Sequence, residues 1–542
     1  MGSRLNVILI VYLNTAGNKI TFIFFVFFMF MPAIVIGIYS YIIFGLGLLG
    51  ILYKGYLTLA TLVFVSAVFY FYKNKLKVPK LNSVFIKRDL LFAIGLLVLV
   101  LPGIINLIGV LGPELGFDAL WYHLTIPKIF LQNHSIFYIP GGLFYYSAMP
   151  KLTEMLYVAG LTFGNEIAAK LIHFFFGILS LVALYNLSRK FLPRTFSLLA
   201  IVLFYSNLVV GWMSITAYID LARTFFEIMA LWGFINWIEK KNRKWLITSA
   251  ILLGLAISAK LLALSTLLIF AILIIIFTRK ITNALAYCFF ALLVPLPWFV
   301  SSYIYTGNPI YPFFTNIYPV KFNFSLINPL NLSDPISPLY IIFLPLAAFL
   351  YRKFKLSLRV MSLYSFFAIA VWYLTPQTGG GRFILPYLPA FSLVTIAIVS
   401  MIKQIKLRNT FIGLIIVLAL FSIFYRGAAN FKYISVVLGK ESTSQFLSNH
   451  LNFSFGDFYD TDGYFAKQIK QEDKALLYGF HNLYYVNFPF IDSSYIKKGD
   501  KFNYVGVYGN NLPPRFKFWN LIYYNEKTNV RLYSIGGLMW AY

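Results

Sequence analysis

The sequence predicts an all-α polytopic membrane protein with about thirteen transmembrane helices and a small extracytoplasmic α/β domain at its C-terminus. Three observations lead there. Of the 542 residues, 60% are hydrophobic and only 12% charged, about half the charged share of a soluble domain. The mean hydropathy is +0.77. Apolar runs of bilayer length recur along most of the chain and stop near residue 426. A soluble enzyme and a disordered chain are both excluded.

The apolar runs fall near 20–48, 52–72, 89–110, 167–187, 195–214, 221–238, 246–277, 283–301, 336–351, 360–374, 382–402 and 409–425. The run 246–277 is too long for one helix and carries Lys260 near its middle, so it divides into two short helices meeting there. The first run is followed by no small-residue cleavage site and reads as a retained helix. The lone cysteine, Cys288, lies in a span and permits no internal disulfide.

Sidedness follows from charge. The net charge of +27 is spread over short clusters between the runs, at 73–88, 188–194, 239–244, 279–280, 352–359 and 403–408. With the break at Lys260, all of them fall on one side, which the positive-inside rule makes the cytoplasm, and the N-terminus falls there too. Such scattering, with no single basic patch, argues against nucleic-acid binding. Asp118, Asp220, Lys260, the segment 303–335, the segment 377–382 and the tail then face outward. Three regions result: two additional N-terminal helices in 1–88, a catalytic core in 89–426 with an outer loop at 111–166, and a soluble domain in 427–542. In the tail, runs near 475–479, 504–508, 519–524 and 530–533 read as strands, and 441–450 and 463–471 as helices.

The outer segment 115–154 is too polar for lipid and too aromatic for an ordinary loop. Asp118 is followed one turn on by Trp121 and Tyr122, which would partly bury the carboxylate and suit it to act as a general base. A solvated loop acid beside an interfacial aromatic belt is the plainer alternative. His123, Lys128 and Lys151 can bind an anion or reach for lipid headgroups, and Glu154 brings a second acid to that face. Asp220 either complements a helix N-terminus or joins the site. Lys260 in an apolar run calls for a cavity and a partner, unless it snorkels. Arg382 after Gly379-Gly380-Gly381 can cradle a phosphate, or the glycines merely join two spans. His173, on an apolar face, reads as packing. No HExxH, GxSxG or P-loop occurs, so an ATP-driven activity would need another subunit.

The stretch Phe117-Asp118-Ala-Leu-Trp-Tyr122-His123-Leu-Thr-Ile-Pro127-Lys128 resembles the first outer loop of the GT-C superfamily of membrane glycosyltransferases. The branch it most resembles holds the prokaryotic relatives of protein O-mannosyltransferases and the lipid A aminoarabinose transferase. Tyr218-Ile-Asp220-Leu-Ala, Gly254 through Lys260, Pro297-Trp298 with Thr306 through Pro312, and Gln377 through Pro386 follow in the family's order. The resemblance covers about residues 89–542. It implies an inverting hexosyl or pentosyl transfer, in cell-envelope glycan synthesis, from a sugar on polyprenyl phosphate to a lipid, glycan or protein acceptor. Asp118 then matches the loop carboxylate that acts as base, Asp220 the second catalytic acid, and Arg382 and Lys260 the cations for the lipid phosphate. Tyr122, His123, Lys128, Lys151 and Glu154 line the substrate side. The family's Asp-Glu pair is Asp118-Ala119 here, and its Lys-Pro-Pro signature is reversed as Pro150-Lys151. No cofactor is implied, and the sequence does not support a magnesium or manganese site, though either ion is compatible. A transporter or flippase of a lipid-linked saccharide is the rival reading; it predicts internal repeats and ionisable groups through the membrane midplane. A membrane scaffold is the third, and it leaves Asp118 and Asp220 unexplained.

Overall fold

The computed structural model describes residues 23–73, 89–317, 335–375, 377–453, 456–509, 512–536 and 538–542. The basic cluster 73–88 after its first residue, most of the outward segment 303–335 and the Asn510-Asn511 turn lie outside them.

The N-terminal part is helical throughout. In order come α1 (Ile23–Leu48), α2 (Lys54–Tyr72), α3 (Leu90–Leu111), α4 (Thr125–Gln132), α5 (Leu152–Phe163), α6 (Glu166–Ser188), α7 (Arg194–Tyr205), α8 (Leu208–Met213) and α9 (Asp220–Lys240). Then follow α10 (Arg243–Ala259), α11 (Leu264–Thr278), α12 (Ile281–Leu293), α13 (Leu296–Thr306), α14 (Leu339–Leu350), α15 (Leu356–Leu374), α16 (Leu388–Met401) and α17 (Ile405–Asn430). Among the described residues, six helices are long and apolar enough to cross a membrane, or seven if α12 and α13 count as one bent span. The count of thirteen is therefore not confirmed.

The shortfall has a physical cause: several expected runs are broken. The run 246–277 breaks where expected, with Lys260 extended at φ −154° and ψ 122° between α10 and a short 3-10 turn before α11. The run 283–301 bends by 64° between α12 and α13, where Pro295 cannot donate a backbone hydrogen bond. The run 195–214 divides into α7 and α8 at Asn207, whose side chain binds the Leu203 and Phe204 carbonyls and accepts the Ser337 N–H. The outer loop 111–166 is more structured than the sequence suggested. It holds a π-turn at Ala119–His123, then α4, a 3-10 turn at Gly142–Ala148, and α5. Helix α5 has an apolar, buried body and packs against α1, α4 and α6.

After α17 come three short helices, α18 (Tyr433–Val437), α19 (Thr443–His450) and α20 (Tyr464–Gln468). The C-terminal domain is α/β, built on a five-stranded sheet. Its strands are Ala475–Tyr478, Phe490–Asp492, Tyr504–Tyr508, Asn520–Asn525 and Val530–Ser534. The first three are mutually parallel, with 475–478 central, and the last two extend the 504–508 edge antiparallel. Strand 490–492 and the parallel pairing had no clear sequence signal, because a three-residue strand shows no usable alternation. A second apolar core of Leu476, Val505, Phe516 and Trp519 fills one face of the sheet.

Close helix packing makes one position sharply testable. A Cβ at Gly254 on α10 would meet the Ala291 carbonyl of α12 at 2.5 Å and the Val294 side chain at 2.6 Å, whereas Gly413 on α17 has nothing within 4 Å. We expect Gly254→Ala to lower Tm in detergent by an amount equivalent to about 1–3 kcal/mol. Gly413→Ala should hold or raise it.

Candidate active site

The site is built where the loop after α3, the segment before α9, the break at Lys260 and the turns before α16 meet. Each acid there has its own cation. Asp118 Oδ2 accepts from Arg382 Nη1 at 2.5 Å, joining residues 264 positions apart. Asp220 Oδ1, at the first residue of α9, accepts from Lys260 Nζ at 2.6 Å. The break that frees Lys260 from helical geometry is what lets it reach Asp220. Both cations flank one aromatic side chain: Lys260 Nζ lies 5.2 Å and the Arg382 guanidinium 5.6 Å from the Phe383 ring centre. Cations over aromatic faces are held without being neutralised, which suits them to a second anion.

A third acid lies beside them. Glu154 Oε1, in the first turn of α5, is 2.9 Å from His123 Nδ1 and 3.6 Å from Lys151 Nζ, all three buried. Tyr122 packs on His123 and on Tyr146, with ring centres 4.3 and 4.4 Å away. Burial, reinforced by the charge on Asp118, raises the Tyr122 phenol well above its ordinary value, so it remains a donor. Asp220 Oδ2, Glu154 Oε2 and Arg382 Nε are buried with no protein partner among the described residues. Buried polar atoms without partners mark places where a ligand or water completes the bonding. No cluster of three His, Cys, Asp or Glu side chains suited to a metal occurs among the described residues.

Of the residues singled out from sequence, Asp118, Arg382, Asp220 and Lys260 thus come together, with Tyr122, His123, Lys151 and Glu154 adjoining. Lys128 is placed elsewhere. Its Nζ donates to the Tyr484 and Val486 carbonyls at 2.7 and 2.5 Å and so ties α4 to the C-terminal domain. Tyr485 adds a bond from its hydroxyl to the Glu114 carbonyl at 2.9 Å, and the His481 ring lies 4.6 Å from Trp121. The domain therefore abuts the Asp118 loop directly. His173 is a satisfied neutral imidazole. Its Nδ1 faces the Thr216 carbonyl at 2.8 Å, an obligate acceptor, and its Nε2 accepts the Leu221 N–H at 3.0 Å.

Three features escaped the sequence reading. Glu114 is buried, and its carboxylate accepts the N–H groups of Leu115, Gly116 and Ala217 at 2.9, 2.6 and 2.6 Å. Burial pushes its carboxyl up, against the pull of Lys170 and those N–H groups. Arg223 and Glu227 form a buried ion pair within α9 at 2.6 Å, closed by Tyr387, Thr266 and Tyr364. Their spacing of four in an apolar run was the available signal. Tyr218 is the third.

The family of dolichyl-phosphate-mannose-protein mannosyltransferases matches residues 155–304. The crystal structure of ArnT from Cupriavidus metallidurans in the apo state superposes with a TM-score of 0.53 at 12% identity, covering 81% of this chain and 97% of that one. The chain shares the fold of that structure. ArnT bound to undecaprenyl phosphate is also similar, with a TM-score of 0.49 at 12% identity over 81% and 97% of the two chains. The Archaeoglobus fulgidus oligosaccharyltransferase in its apo form gives a TM-score of 0.42 at 12% identity over 73% and 64%. No curated protein matches the sequence.

The Lys128 tether has a pH signature. Burial lowers its ammonium from 10.5 to about 8. Undocking would return it toward its ordinary value, so between about pH 8 and pH 10 the docked state gains as pH rises. Limited proteolysis in the linker before α19 should slow over that range. Lys128→Met should be cleaved severalfold faster at pH 7 and lose this pH dependence.

Proposed function

We propose that the protein is an integral-membrane glycosyltransferase that moves a sugar from a polyprenyl-phosphate-linked donor to an acceptor hydroxyl at the outer face of the membrane. The observation that carries this reading is the Asp118–Arg382 contact. It sets a carboxylate able to take a proton beside a cation able to take a phosphate, which are the two charges the reaction must handle.

The steps follow from those charges. The donor phosphate displaces Asp118 from Arg382 and draws on Lys260, which approaches the same Phe383 ring. Asp118 is thereby freed to accept the acceptor's hydroxyl proton. The acceptor oxygen bonds to the anomeric carbon from the face opposite the phosphate, inverting it. The bond from anomeric carbon to phosphate oxygen breaks, and the polyprenyl phosphate leaves with the electron pair, stabilised by Arg382 and Lys260. Asp220 holds Lys260 in place, and Lys151 with His123 extends the cationic lining. The two cations supply the charge stabilisation, so the reaction is proposed to require no cofactor, and its rate should be the same in EDTA as in manganese. The outward placement rests on the basic clusters lying together on the opposite side. The match to the mannosyltransferase family and the undecaprenyl phosphate bound by ArnT support a polyprenyl-phosphate donor.

Purified protein should transfer sugar from a synthetic polyprenyl-phosphate donor. Asp118→Asn should lose about a hundredfold or more in kcat with donor binding retained, and Arg382→Gln should lose donor binding. Full turnover by Asp118→Asn, or movement of labelled lipid across proteoliposomes that ignores Asp118, would overturn the reading.

A further inference from the structure

The segment 216–221, which leads from the connection after α8 into the first turn of α9, is bolted at four backbone groups by buried side chains from elsewhere. His173 binds the Thr216 carbonyl and the Leu221 N–H. Glu114 accepts the Ala217 N–H at 2.6 Å, and the Tyr157 hydroxyl donates to the Tyr218 carbonyl. Glu114 also binds Leu115 and Gly116, so one carboxylate fastens this segment to the loop carrying Asp118. A side chain projecting from such a segment has a fixed origin, and the side chain at its centre is Tyr218.

Tyr218 is 3% exposed and lies against both the acid and the cation of the site. Its hydroxyl accepts the Asp118 N–H at 3.2 Å. Its ring centre is 5.1 Å from the Arg382 guanidinium carbon. Trp212 packs edge-on against the ring at 5.6 Å. The loop approaches so closely that a Cβ at Gly116 would come within 2.9 Å of the ring. One residue therefore touches both members of the Asp118–Arg382 pair.

We propose that Tyr218 is the positioning residue of this site, its hydroxyl fixing the Asp118 backbone and its ring fixing the Arg382 guanidinium that receives the donor phosphate. The inference rests on the transferase reading for Asp118 and adds to it a division of labour within one side chain. The hydroxyl half governs how well the base is aimed, and so affects turnover. The ring half governs the cation, and so affects binding of the phosphate.

The two halves separate by substitution in the full-length protein. Tyr218→Phe removes the hydroxyl and keeps the ring; Tyr218→Leu removes both. Steady-state transfer gives kcat and donor KM per folded molecule, and binding of a polyprenyl monophosphate probe is measured separately by tryptophan fluorescence. For Tyr218→Phe we expect kcat about three- to tenfold lower, with probe affinity unchanged. For Tyr218→Leu we expect at least that loss of kcat and a probe Kd about three- to thirtyfold weaker. Wild-type kcat in Tyr218→Phe, or equal probe affinity in the two variants, overturns the proposal. So does a lower Tm in both with kcat and Kd unmoved, which is the mark of a merely structural residue. Wild-type turnover in an Asp118→Asn control is a different failure: it removes Asp118 as the base, while the probe still reports on the ring and Arg382.

Discussion

A charge taken out of water must find a partner, and the arrangement of this protein's interior follows from that requirement. Removing one member of a buried pair costs on the order of 3–5 kcal/mol, because the survivor keeps its desolvation penalty. Asp118, Asp220, Glu154 and Glu227 each meet a cation or a histidine, and Glu114 is held by three N–H groups. Lone cations obey the same rule. Lys170 donates to the Gly109, Gly112 and Pro113 carbonyls at the end of α3, and Arg426 to the Tyr205 and Asn207 carbonyls at the end of α7. Both sit where a helix leaves carbonyls unsatisfied and its dipole is negative. The pairing therefore does structural work, since each pair pins together elements far apart in sequence.

The pairs nevertheless differ in what they can do next. Arg223 and Glu227 bond to each other and to Tyr387, Thr266 and Tyr364. An ionisable pair within an apolar run is what a transport pathway would show, but this one braces α9 against α11, α15 and the turns before α16. Asp220, Glu154 and Arg382 keep buried polar atoms without partners among the described residues.

Much of this was legible in the sequence, and for definable reasons. Lys260 stood out because a lysine within some thirty apolar residues has few acceptable surroundings, and the break there followed from length and charge together. The tail strands 475–478, 504–508, 520–525 and 530–534 showed through their β-branched and aromatic content. What stayed hidden was of two kinds. Helix α5 and the breaks at Asn207 and Pro295 depend on how neighbours pack, so apolar runs there gave the wrong lengths. The partner of each charge also stayed hidden, because Asp118 meets Arg382 across 264 residues and no local pattern encodes that distance. Lys128 shows the same limit. Position alone put it among the substrate residues, while its ammonium is spent on two carbonyls of the C-terminal domain.

The resting contact between Asp118 and Arg382 constrains the order of events. While the guanidinium occupies Oδ2, that oxygen is engaged in a charge-assisted bond and is not open to a hydroxyl. In the proposed reaction an anion that binds Arg382 frees that oxygen, so the arrival of the donor phosphate opens the carboxylate to the acceptor hydroxyl. Without a donor, the acid stays neutralised and the loop stays held by Glu114, Tyr218 and the C-terminal domain. The backbone fixings do not depend on the ion pair, so the partners can exchange without the loop unfolding. Keeping the pair exchangeable and its backbone supports fixed would let the proposed site be both stable when empty and reactive when filled.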